Sequence, residues 1–210
     1  MSLLKLWNLE TYTYLNKFVL ITFMKKLSIS AVLVLYNAEK KIKICLESIK
    51  DFVDEIIVVH DGTCRDKTLE ICSKYTDMIY EGEWIGEAEP HRNFTFRKAK
   101  GDWLLQIDGD EYLTKELKDR LKKVLDTSDV SSIGCLWAPN KLKRKKGFFS
   151  RAGKSFLWKK KDMIYFSGTP HAIPEFRGKE LVLGERLGHS AGDRKFFDKI
   201  YPWTIIQAGY

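Results

Sequence analysis

The chain has 210 residues with 44% hydrophobic and 13% aromatic content, enough for one globular domain with a sizeable core and too apolar for a disordered tail. Its net charge of +8 is local: ten basic and no acidic residues fall between Lys141 and Lys161, and without them 26 basic residues face 28 acidic ones. Cys45, Cys64, Cys72 and Cys135 lack C-x-x-C spacing, which argues against a zinc site or a disulfide framework and for a reducing compartment.

The apolar run Leu15 to Met24 carries Lys17 and is too short to span a bilayer; with no cleavage site after it, residues 1–25 read as an N-terminal extension. Leu27 to Tyr36 is a continuous β-forming run, predicting a strand covered on both faces. Ile42, Cys45, Leu46 and Ile49 follow at helical spacing. Glu55 to Val59 predicts a second buried strand, ending in His60-Asp61-Gly62, and Leu69, Cys72 and Tyr75 a second helix with Asp66 as N-cap. Met78 to Tyr80 reads as a short strand, and Pro90 opens a helix to about Lys100.

Trp103 to Ile107 predicts the fourth strand, running into Asp108-Gly109-Asp110-Glu111. Three carboxylates within four positions at a strand's carboxyl end, where open α/β sheets bind ligands, suit a hard cation such as Mg²⁺ or Mn²⁺ bridging to phosphates, with Gly109 letting the backbone turn. Leu113, Leu117, Leu121 and Val124 predict another helix and Ile133 to Trp137 another strand. This β-α alternation over residues 26–138 predicts an α/β fold, a Rossmann-like, mostly parallel sheet with helices on both faces.

Residues 139–210 change rhythm. Short β-like pieces (Ser155 to Trp158, Met163 to Phe166, Leu181 to Leu183) alternate with Gly and Pro before a helical stretch from about Lys195, and its uncapped end predicts a polypeptide continuing past Tyr210. The basic run, interleaved with Phe148, Phe149, Phe156, Leu157 and Trp158, leaves three readings open: an anionic membrane interface, a single-stranded nucleic-acid surface, or a solvated loop followed by a strand whose aromatics are core.

The ordered motifs Leu27 to Ser30, Tyr36-Asn37-Ala38-Glu39, Asp54 to Gly62, Asp66 to Ile71, His91-Arg92-Asn93 and Gly101 to Glu111 resemble the family 2 glycosyltransferases of the GT-A fold, especially the bacterial branch building lipopolysaccharide core and other surface glycans. The resemblance covers roughly residues 26–115. It implies a metal-dependent inverting glycosyltransferase, cytoplasmic or at the inner face of the membrane, taking a nucleotide-diphospho-sugar (a UDP-sugar first) and a glycan or lipid-linked acceptor, with no nucleic acid partner. By the same resemblance Asp61 contacts the base, Leu35 and Asn37 line the nucleoside pocket, Arg92 lies near the diphosphate, Asp108 assists at the sugar or ribose, and Asp110 is the direct metal ligand. His171 and Glu175 are candidates for the general base, and His189 for a late metal or phosphate ligand; Glu111 reads as a solvated neighbour. His60 stands where the family often has Asp, and Thr63-Cys64-Arg65 lengthens the following turn. A sugar nucleotidyltransferase is the enzymatic alternative, although the segment after the first strand lacks its Gly-rich basic loop; a non-enzymatic membrane- or RNA-binding module is the other.

Overall fold

A computed structural model describes residues 27–127, 129–136, 153–169, 172 and 174–190. All seven residues of β1 (Ile29–Leu35) are buried, as its unbroken apolar sequence requires. It lies between β2 (Glu55–Asp61) and β4 (Trp103–Gln106), parallel to both, and β2 carries β3 (Ile79–Gly82) on its far side, also parallel. Intervening segments supply α1 (Ile42–Ile49), α2 (Thr68–Cys72) and α3 (Glu89–Lys98).

Alternation along the strands sends their residues to two faces. Ala31, Leu33, Val58 and Leu105 join Ile42, Cys45, Leu46 and Ile49 of α1 and Leu117 and Leu121 of α4 (Lys115–Thr127) in one apolar cluster. Val32, Ile57 and Leu104 meet Phe96 of α3 and Ala99 just after it, with Trp158 and Phe166, in a second. Each such aliphatic side chain contributes about 1.5–3 kcal/mol of transfer free energy, so helices on both faces follow from strands apolar on both.

The second half of the sheet departs from simple β-α alternation. After β5 (Glu111–Leu113), α4 and β6 (Ser132–Leu136), the chain returns as β7 (Gly153–Lys159), which inserts antiparallel between β4 and β6. β10 (Glu180–His189) pairs parallel with β6, with a register shift between Leu183 and Arg186, and its last residues pair antiparallel with β5. The order is β3-β2-β1-β4-β7-β6-β10-β5, with four parallel and three antiparallel pairings. A 3-10 turn (Lys160–Asp162) leads to a separate two-stranded sheet of β8 (Met163–Tyr165) and β9 (Glu175–Phe176). Residues 1–26, most of the basic run and the predicted helix from Lys195 lie outside the described residues.

The amino edge of the parallel strands is also acidic, yet its carboxylates serve the backbone. Asp54 accepts from Ile29 N–H at 2.8 Å, Asp102 from Ser28 N–H and Oγ at 3.1 and 2.9 Å, and Glu55 from Ser30 Oγ and Lys100 N–H, both at 2.5 Å. Carboxylates used this way close the sheet's lower edge, leaving the carboxyl edge to ligand chemistry.

Candidate active site at the carboxyl edge of the sheet

Strands β2, β1 and β4 end side by side in His60-Asp61, Tyr36-Asn37 and Asp108. Asp108 sits under two cations: Arg92 Nη2 donates to Oδ1 at 2.8 Å and Lys154 Nζ to Oδ2 at 2.9 Å. Lys154 also donates to Glu111 at 2.5 Å, and the same Glu111 oxygen accepts Asp108 N–H at 3.0 Å. The β4–β7 register explains the meeting. Trp103 faces Lys159 and Leu105 faces Leu157, so continuing the antiparallel ladder brings Lys154 to Asp108.

Burial opposes ionisation of Asp108, but Lys154 and Arg92 outweigh it and hold the carboxyl well below the usual carboxylate range. Glu111 moves the other way. Its burial, with the charge of Asp108 nearby, pushes its pKa up despite Lys154. Burial alone would lower the lysine, yet its two carboxylate neighbours raise it, so it stays charged.

One sequence reading is corrected here. Glu111 is no solvated neighbour: it is 2% exposed, enclosed by Lys154 and the Asp108 backbone. Of the three readings left open for the basic run, its described end favours the strand whose aromatics are core. Lys154 is committed to the carboxylates, while Phe156, Leu157 and Trp158 are fully buried, so these three aromatic and apolar residues are core. Gly109 has no positive φ; a Cβ there would lie 2.6 Å from Leu35 Cδ2, so that the leucine side chain would have to shift.

Asp110 and His189 come together although 79 positions apart in sequence. β10 pairs with β5 so that His189 faces Glu111, which places His189 Nε2 3.5 Å from Asp110 Oδ2; Ser190 N–H donates to the Asp110 carbonyl at 2.7 Å. Lys41 Nζ lies 3.5 Å from the same carboxylate oxygen. One carboxylate and one imidazole suit a divalent cation that takes its remaining ligands from phosphate and water. No cluster of three metal-ligating side chains occurs among the described residues, so such an ion would depend on its substrate for much of its coordination.

Arg92 is buried on α3, with only Nη2 engaged; Nε and Nη1 have no hydrogen-bond partner among the described residues. Buried unsatisfied guanidinium nitrogens are costly and concentrate at functional sites. α3 presents a polar inner face of His91, Arg92 and Thr95, which hydropathy alone would have turned outward.

The end of β2 is held by bonds within the chain. Asp61 accepts from Ile85 N–H at 2.7 Å, Gly86 N–H at 2.8 Å and His91 Nε2 at 2.9 Å. Gly82 makes the last bond feasible, since a Cβ there would lie 2.5 Å from His91 Cε1. His60 is fully buried; its Nε2 accepts Asn37 N–H at 3.1 Å, so Nδ1 carries the proton and donates to Gly62 O at 2.7 Å. His60 thus props the turn after β1, where Asn37 takes the left-handed φ of 40° that asparagine tolerates. Asn37 Oδ1 accepts from Arg65 N–H, and Leu35 lies in the core behind the turn. His171 falls outside the described residues, and Glu175 is exposed on β9, in the sheet separate from the carboxylates. Lys41 and Lys154 are the site residues that sequence reasoning missed; Lys154 carried a signal only as one lysine in a basic run.

A mostly parallel sheet carrying these carboxylates at the end of β4, with an arginine on the preceding helix, defines an α/β protein of the GT-A class. The chain belongs to the glycosyl transferase family 2, whose model matches residues 30–199. It is similar to the SPbeta prophage-derived glycosyltransferase SunS of Bacillus subtilis, 33% identical over 114 residues covering 53% of this chain and 27% of that protein. An uncharacterized glycosyltransferase of Rickettsia bellii is 34% identical over 96 residues, 46% of this chain and 32% of the relative. The chain therefore spans a third or less of these curated relatives. Among solved structures, S. aureus TarS superposes with a TM-score of 0.56 at 18% identity, over 81% of this chain and 38% of that one.

Proposed function

We propose that this chain is the donor-binding part of a metal-dependent inverting glycosyltransferase that moves a sugar from a nucleotide-diphospho-sugar, a UDP-sugar in the first instance, to a glycan or lipid-linked acceptor of cell-surface polysaccharide or lipopolysaccharide. The observation that carries the reading is the convergence of Asp110 and His189 beside the Arg92–Asp108–Lys154 group. Asp110 and His189 would hold Mg²⁺ or Mn²⁺, which when bound supplies Lewis-acid stabilisation of the departing diphosphate. Arg92 faces the phosphates with charge-assisted donors. Asp108, kept ionised by its cations, accepts from sugar or ribose hydroxyls.

In the transfer the acceptor oxygen bonds to the anomeric carbon, the bond from that carbon to the phosphate oxygen breaks, and the nucleoside diphosphate leaves. The acceptor proton passes to a base of the 168–175 segment, of which Glu175 is the exposed carboxylate. The acceptor class rests on the family resemblance alone. No helix among the described residues is long and apolar enough to cross a membrane, and we place the activity at the cytoplasmic face, acting on an acceptor presented there.

Titration calorimetry with UDP tests the reading. UDP binds in the presence of Mn²⁺, chelation weakens it at least about tenfold, and Asp110→Ala or His189→Ala removes the metal dependence. Metal-independent binding, or none in a folded sample, refutes it.

A further inference from the structure

Lys41 stands where a helix disfavours it. It is the N-cap residue of α1, whose first turn contains no acidic side chain and whose N-terminus has no side-chain cap. A cation there faces the positive end of the helix dipole. Lys40 and Lys43 turn to solvent, whereas Lys41 is half-buried and reaches across to Asp110. Both ends of that contact are held. Lys41 N–H donates to Ala38 O at 2.9 Å, and the turn that carries Asp110 packs on the same segment: a Cβ on Gly109 would lie 3.6 Å from Ile42 Cδ1 and 3.7 Å from Ala38 Cβ. Ser190 N–H and Oγ fix the other side, donating to the Asp110 carbonyl at 2.7 and 3.1 Å.

Each carboxylate of the cluster has a side-chain cation beside it: Arg92 and Lys154 at Asp108, Lys154 at Glu111, and Lys41 at Asp110. The cations differ in how firmly they are held. Arg92 and Lys154 have side-chain exposures of 6% and 17% and contacts of 2.5 to 2.9 Å. Lys41 is 33% exposed, and its 3.5 Å from Asp110 Oδ2 is beyond a good hydrogen bond, so charge alone holds it there. An ammonium on a flexible four-carbon stem gives up such a contact readily. A divalent ion on Oδ2 would set two positive charges against it, and a diphosphate bound to that ion would offer it negative charge again.

We propose that Lys41 is an exchangeable counter-ion: it pairs with Asp110 until a divalent cation takes that carboxylate, and then turns to the diphosphate of the donor. The inference rests on the nucleotide-diphosphate reading above and deepens it by adding a donor ligand from α1. Lys41 thus opposes a metal ion that arrives alone and favours one that arrives with a diphosphate, which couples the two binding events.

The test is calorimetric titration of the full chain and of its Lys41→Met and Lys41→Arg variants, first with Mn²⁺ alone and then with UDP at saturating Mn²⁺. Methionine keeps most of the side chain's length and removes its charge. Lys41→Met is expected to bind Mn²⁺ about fivefold more tightly and, with Mn²⁺ saturating, to bind UDP at least about fivefold more weakly. Lys41→Arg, which keeps the charge, returns Mn²⁺ affinity to within about threefold of the parent. A residue that merely steadied the backbone around Asp110 would weaken both ligands together in Lys41→Met. That joint weakening, unchanged Mn²⁺ affinity or unchanged UDP affinity in Lys41→Met overturns the exchange, and leaves the donor-site reading standing where the parent binds UDP with Mn²⁺. A folded parent without Mn²⁺-dependent UDP binding overturns both.

Discussion

Lys154 reaches Asp108 and Glu111 across 46 and 43 residues of chain, and its energetic role is defined by what would be stranded without it. Glu111 is buried, and the lysine is the cation that offsets its enclosure. Removing one partner of such a pair costs about 3–5 kcal/mol, because the remaining charge is uncompensated. Lys154→Met should therefore lose stability on that scale in urea denaturation, and the double variant Lys154→Met with Glu111→Gln should recover a measurable part of it. No recovery in the double variant would show that Glu111 and Lys154 are not energetically coupled. The acidic cluster itself was legible in the sequence, since three carboxylates after an apolar strand stand out. Its division of labour was not: Glu111 and Asp108 look alike in the sequence, and only the return of β7 decides which of them is enclosed.

Elements whose burial follows a local rule were readable. β1 and β2 are unbroken apolar runs, and α1 buries Ile42, Cys45, Leu46 and Ile49 at the spacing the sequence shows. β5 is three residues long, too short for alternation to register, and its Leu113 looked like the first apolar residue of the following helix. β10 runs for ten residues with mostly exposed or half-buried side chains, so Leu181 to Leu183 alone stood out. The N-cap position of α2 is Lys67 and not Asp66 as the sequence suggested, yet Asp66 braces the helix start from one residue earlier: its Oδ1 accepts Thr68 N–H at 2.9 Å, and Oδ2 accepts Glu39 N–H at 3.1 Å, tying the turn after β1 to that helix. Burial alone would raise its pKa, but these bonds, with those to Thr68 Oγ1 and Cys64, leave it lowered from 3.8. A lowered carboxyl stabilises the fold fully above its unfolded pKa, and the contribution fades as pH falls through the folded value. Asp66→Ala should thus cost about 0.5–2 kcal/mol at pH 7, with the gap to the parent narrowing below about pH 4. Urea titrations at both pH values would show it, and an undiminished gap would mean that Asp66 acts through packing and not through charge.

At the scale of the molecule, β7 joins the two halves of the sheet: β3-β2-β1-β4 on one side and β6-β10-β5 on the other. The sequence could not announce this, because strand order depends on which distant segment completes the ladder, and a strand rich in lysine resembles a surface run. The insertion has a functional consequence, since Asp108 belongs to the first half whereas His189 reaches Asp110 from the second. Trp158 anchors the joint from the face opposite α1, fully buried with ring centroids 5.6 Å from Phe96 and 5.4 Å from Phe176. Truncating a buried aromatic of this size costs about 3–5 kcal/mol. Because the loss falls on a strand bonded to both halves, Trp158→Ala should lower the urea midpoint in a single transition reported alike by far-UV circular dichroism and by nucleotide binding. Two separated transitions, with binding lost before the secondary structure, would mean that the β6-β10-β5 half melts independently and carries His189 away from a still folded donor site.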